Sequence, residues 1–136
     1  MSQDIYSSPE ADLGTNDAEY TSLTMKEILF SFKGRVGRKT YWLTLLAAIG
    51  IYFVSAAVLG AIGLPMEVLM TLFVLAYIPL IWISLAVQVK RWHDRNKSGW
   101  WVLIAFVPII GPIWQLVENG FLAGDPSPNN YGPPNR

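Results

Sequence analysis

From residue 41 onward the chain alternates between long apolar runs and short polar stretches. Segments 41–64, 68–89 and 100–117 contain no Asp, Glu, Lys or Arg. A helix rises about 1.5 Å per residue, so about 20 apolar residues cross a hydrocarbon core of about 30 Å. The first two runs meet that length outright. The third meets it by continuing through Glu118, Asn119 and Gly120 toward Phe121. The pattern therefore predicts spans at 41–64, 68–89 and 100–121. Pro79 is expected to kink the second, and Pro108, Gly111 and Pro112 interrupt the third. Interior prolines break helices in water, but neighbours within a bundle can satisfy the freed carbonyls. Two shapes stay open for the third run. A kinked crossing is the expectation, and a re-entrant segment that dips in and returns is the alternative.

Ahead of these runs, 24–33 has a helical period. Thr24 and Glu27 have capping-box spacing, and Met25, Ile28, Leu29 and Phe32 share one face, with Lys26 and Lys33 off it. Beside a span, such a helix lies in the headgroup plane; packing on the protein's own loops is the bland alternative. Residues 1–22 carry Asp4, Glu10, Asp12, Asp17 and Glu19 with no Lys or Arg, and read as a disordered acidic tail. This segment lacks the basic start and apolar run of a secretory signal. Residues 124–136 are rich in Pro, Asn and Gly and read as an irregular tail. The fold class is thus an all-α membrane protein. It has three transmembrane helices, the third kinked or re-entrant, a membrane domain over 23–123, and a short interfacial amphipathic helix.

Composition sharpens this picture. The hydrophobic share is 52% and the charged share 15%, against about 25% charged in soluble domains. A soluble protein of this size has no polar outer layer left to cover three all-round apolar helices. Ten basic residues balance ten acidic ones, which excludes an electrostatic nucleic-acid binder. Cysteine is absent, so disulfides and thiolate metal sites are excluded. No cofactor and no metal is expected. Lys26, Lys33, Arg35, Arg38 and Lys39 precede the first run, while Lys90, Arg91, Arg95 and Lys97 follow the second. Positive charge marks the cytoplasmic side. A three-span threading then puts the amino terminus inside and the carboxyl tail outside. Tyr41, Trp42, Trp92, Trp100 and Trp101 are expected as anchors at the inner interface, with Tyr52, Tyr77 and Trp82 deeper as packing residues.

Three segments stand out from this background. They are F-S-F-K-G-R-V-G-R-K-T-Y-W at 30–42, R-W-H-D-R-N-K-S-G-W-W at 91–101 and G-D-P-S-P-N-N-Y-G-P at 124–133. Their order and spacing resemble the YhaH-like family of bacterial inner-membrane proteins, number eight hundred and five in the domain-of-unknown-function series. The resemblance spans roughly residues 23–135. It implies a small polytopic protein of the bacterial cytoplasmic membrane and supplies no reaction. The acidic tail is an extension beyond it.

The same segments hold the candidate chemistry. Arg35, Arg38, Arg91 and Arg95 lie on one side of the threading, and Ser98 is a natural N-cap for the third run. Guanidinium forks and a helix N-terminus both favour phosphate. With His93 and Asp94 they make a candidate headgroup site for anionic phospholipid. Arg91 and Asp94 are spaced to pair on one helix face. The bland reading is a rigid connection charged for topology. Catalysis through His93, Asp94 and Ser98 is the weakest reading, because adjacent His93 and Asp94 would point about 100° apart on a helix. The protein is not expected to be an enzyme. The runner-up is a subunit of a small oligomeric transporter, although no ionisable residue marks mid-membrane. The expected role is a basic, aromatic-rimmed cytoplasmic face that binds anionic membrane phospholipid or a membrane partner; a homo-oligomer is allowed, and the identity of any protein partner is unknown.

Overall fold

Two long helices form where the first two apolar runs lie. The computed structural model describes residues 22–135. The expected acidic tail therefore lies outside the described residues, apart from Ser22 at its edge. Helix α1 is Met25–Phe30, α2 is Arg38–Ile62 and α3 is Met66–Asp94. A 3-10 helix at Gly99–Phe106, helix α4 at Ile110–Leu116 and a π-helical turn at Val117–Phe121 complete the order. The described residues contain no strand, only an isolated bridge between Asn129 and Gly132.

Helices α2 and α3 are long and apolar enough to cross a membrane, and the most apolar stretch of each has no buried residue. Gly63 ends α2 in the left-handed conformation (φ 76°), which glycine adopts freely, and Pro65 caps α3. Pro79 sits inside α3, and the helix continues past it to Asp94.

The third run departs from the expected single span. It is a hairpin. The 3-10 arm runs to Phe106, the chain reverses at 107–109, and α4 with the π turn returns. Backbone chemistry explains the reversal. Ile109 takes φ 67° and ψ −60°, and the Ile110 amide donates to the Pro108 carbonyl at 2.7 Å. That is a γ-turn, a strained arrangement for a β-branched residue. A Cβ on Gly111 would stand 1.7 Å from the Ile104 carbonyl oxygen, so only glycine lets the arms meet. Pro112 falls in the first turn of α4, where a missing N–H leaves no intrahelical bond unmade. The hairpin closes on itself: Lys97 before it pairs with Glu118 in the π turn of its returning arm. The carboxyl tail, expected at the far end from the basic loop, packs onto that loop instead. The Asp125 amide donates to the Asp94 carbonyl at 2.8 Å.

Helix α1 is shorter than the predicted 24–33. Both arms of the capping box form: the Thr24 amide donates to Glu27 Oε2 at 2.9 Å and the Glu27 amide to Thr24 Oγ1 at 3.3 Å. The bond from the Thr24 amide holds the exposed Glu27 carboxyl below its ordinary value. Ile28 packs, with Leu23, Trp42 and Leu45, on a small cluster of Val36, Tyr41 and Val87.

Candidate functional site

All three motif segments converge on Asp94, the last residue of α3. Arg35, from the loop before α2, donates Nε (3.0 Å) and Nη2 (2.9 Å) to Asp94 Oδ1. Arg91, one turn earlier on α3, donates Nη1 to Asp94 Oδ2 at 2.6 Å. The two guanidinium groups also bind backbone. Arg35 reaches the carbonyls of Ser127 (2.9 Å), Gly132 (3.0 Å) and Asp125 (2.6 Å). Arg91 reaches those of Asn119 and Leu122. The tail can lie this close because residue 124 is glycine; a Cβ there would sit 1.8 Å from Asp94 Oδ2. All three ionic side chains are essentially excluded from solvent. Buried charge is tolerable only when paired and saturated with hydrogen bonds, and this cluster meets both conditions.

Two further cations are locked nearby. Lys90 is buried, and its ammonium donates to the carbonyls of Glu27 (2.7 Å), Ile28 (2.6 Å) and Ser31. A positive charge thereby closes the C-terminal end of α1, where unpaired carbonyls gather. Lys97 lies 5.6 Å from the ring of Trp92 and 5.0 Å from that of Trp101 while pairing with Glu118. Glu118 also accepts from Trp114 Nε1 at 2.7 Å and from Arg95 at 3.4 Å.

The expected headgroup residues therefore separate. Arg35, Arg91 and Asp94 come together, but with each other and with the tail. His93 flanks them: its Nδ1 lies 3.0 Å from the Gly34 carbonyl and its ring stacks on Tyr131 at 4.0 Å. Arg38 stays on the exposed rim and donates to the Phe121 carbonyl at 3.0 Å. Arg95 binds the Ala123 carbonyl. Ser98 caps the 3-10 arm, accepting from the Trp100 amide at 3.3 Å. Among the expected anchors, Trp100 is 78% exposed and Trp101 also faces outward. Trp42 donates to the Gly120 carbonyl at 2.8 Å. Tyr41 and Trp92 are buried instead, because the loops and hairpin fold over them.

Sequence reasoning missed three contributors. Lys90 reads only as a topological charge, yet it clamps α1. The tail reads as irregular, yet its carbonyls are the arginines' acceptors. Gln88 and Gln115, from α3 and α4, bond to each other. One signal was available: Asp94 is the lone acid among the basic residues of the central loop.

The motifs that build this cluster also decide kinship. The model for a protein family of unknown function, DUF805, matches residues 29–133. The chain belongs to the DUF805 family. DUF805 relatives in Escherichia coli K12 include the uncharacterized protein YiiR, 31% identical over 81% of this chain and 89% of its own. The inner membrane protein YhaH is 36% identical over 75% of this chain and 84% of its own. The inner membrane protein YhaI is 38% identical over 74% and 82%. No solved structure matches the chain.

Proposed function

We propose that this DUF805 chain is an integral protein of the bacterial inner membrane whose cytoplasmic cap holds anionic phospholipid headgroups on its basic rim. One observation carries the reading. Five ionic side chains are buried (Arg35, Lys90, Arg91, Asp94, Glu118), whereas Leu43, Leu46, Phe53, Val74 and Ile78 along α2 and α3 are exposed. Exposing those apolar side chains is costly in water and stable in lipid, while the buried charges are met by their own pairing. The names of YhaH and YhaI support the compartment. The cap carries the basic loops, which favours its cytoplasmic placement. On this reading α2 and α3 span, the hairpin is re-entrant, and the tail stays cytoplasmic with the cap. Helix α1 turns Met25 and Phe30 outward, as a helix lying in the interface would.

Within this cap the headgroup ligands are Lys26, Lys33, Arg38 and Lys39, all exposed. Gly37, Arg38, Lys39 and Thr40 border an open cavity of about 480 Å³ at the start of α2, which Asp94 also lines with both carboxylate oxygens held by Arg35 and Arg91. Gly37 offers no side-chain cap to that helix, so its first amides and the two basic side chains favour an anion together. The reading assigns no reaction.

Native mass spectrometry of the detergent-extracted protein tests it. Phosphatidylglycerol is expected to be retained over phosphatidylcholine. The double variant Arg38→Ala, Lys39→Ala should lower that retention at least about fivefold, on the scale of about 1 kcal/mol per basic residue near an anionic surface. Equal retention of the two lipids, or no change in the double variant, defeats the proposal.

A further inference from the structure

The hairpin at 99–121 is too short to cross a membrane, and the packing at its base shows which end of α3 it shares. A Cβ on Gly99 would stand 2.7 Å from Val89 Cγ1, Gln115 bonds to Gln88, and Lys97 pairs with Glu118. Both arms therefore start beside the last turns of α3, under the cap. The eight residues of the 3-10 arm rise at most about 16 Å, close to the depth of one leaflet, about 15 Å. The tip they carry is apolar. Phe106 and Ile109 are 81% and 78% exposed, and Val107 and Ile110 are exposed too.

The neighbouring helices report the same depth. Among the described residues, the groove between this arm, α2 and α3 takes its walls from α2 between Leu45 and Phe53 and from α3 between Tyr77 and Gln88. Helix α1 adds to that level. Trp82 of α3 donates Nε1 to the Phe30 carbonyl at 3.2 Å, and Phe32 meets the Trp82 ring edge-on at 4.9 Å. Beyond that level α2 and α3 continue as a pair through 54–62 and 66–76, about 15 Å of further rise. One leaflet thus holds α2, α3 and both hairpin arms, while the other holds α2 and α3. With a helix about 10 Å across, two extra segments add about 160 Å² of cross-section to one leaflet alone.

We propose that the chain is a one-leaflet wedge whose preferred partner is a lipid surface convex on the cap side, and that it sorts to such surfaces. A flat membrane gives both leaflets equal area, so lipids around a wedge must splay to cover its narrow end. Convex bending on the cap side enlarges the leaflet that holds the wide end. Apolar segments seated in one leaflet are sensitive to curvature. The inference rests on the membrane placement and re-entrant hairpin proposed above, and not on the basic rim.

The test uses the full chain as Ser22→Cys, a single thiol at an exposed cap-side position, reconstituted from detergent into phosphatidylcholine vesicles sorted by size. In a vesicle of about 150 Å radius the leaflets, about 15 Å apart, differ in area by about a fifth; at about 1000 Å radius they differ by about 3%. The share of chains labelled from outside by an impermeant maleimide is the share with the cap outward. That share is expected to shift upward from large vesicles to small ones, to a cap-out majority. Phe106→Asp with Ile109→Asp puts carboxylates where the tip would sit, a costly place for charge. This double variant should lose the size dependence. An unchanged or falling cap-out share in small wild-type vesicles overturns the proposal, and so does a double variant that sorts like the wild type. If the double variant fails to fold, Ile109→Asp alone replaces it. Phosphatidylcholine carries no net charge, so the rim plays no part. Ser127→Cys, run in parallel, reads the placement separately. Labelling complementary to that of Ser22→Cys overturns the re-entrant hairpin and the wedge with it; equal labelling without size dependence overturns the wedge alone.

Discussion

Both carboxylate oxygens of Asp94 are taken by guanidinium groups, so charge, not shape, is what that position supplies. Asp94→Asn keeps the size and one acceptor but leaves two buried cations without a counter-charge. Removing one member of a buried ion network costs about 3–5 kcal/mol, and a denaturant titration in detergent should show a loss of that order. Ile109 makes the opposite case. Its positive φ costs about 1–3 kcal/mol. Ile109→Gly removes that strain at about 0.5–1 kcal/mol of glycine entropy, so unfolding should shift upward by about 1 kcal/mol. At this scale the sequence was partly legible. The Arg91–Asp94 pair follows from helical spacing. Arg35 as the second partner does not, because it lies 59 residues away and only tertiary packing brings it there.

Among the elements, α2 and α3 were legible because an uninterrupted apolar run leaves the backbone one way to satisfy itself in lipid. The third run has the same composition and a different outcome. Pro108 removes an amide where the arms join, and Gly111 lets the returning arm touch the outgoing one. Those residues flagged an interruption, but they look alike in a kinked helix and in a hairpin; the Lys97–Glu118 pairing across the hairpin's base distinguishes them. Helix α1 shows the converse. Its capping box was readable, but its early end was not, because Lys90 gathers the carbonyls from a different element. Lys90→Met is therefore expected to free α1 specifically. Hydrogen exchange should quicken at least tenfold over residues 25–31 while the middle of α3 keeps its protection.

For the molecule as a whole, the arrangement proposed here keeps cap and tail on one side of the membrane. The chain has no cysteine, so Ser127→Cys provides a single thiol. An impermeant maleimide should label it only after spheroplasts are opened; labelling of intact spheroplasts would restore three crossings. Each of the three motif segments, taken alone, reads as a charged turn. Their shared purpose appears only when Arg35 is seen to close on the carbonyl of Ser127, 92 residues further along. That distance orders events during synthesis. Until the ribosome delivers the last segment, Arg35 and Arg91 can pair with Asp94 but lack the carbonyls of Ser127, Gly132 and Leu122 that they bind in the finished fold. Only afterwards do these guanidinium groups fasten the two ends of the chain together, so a part made early is among the last to lock.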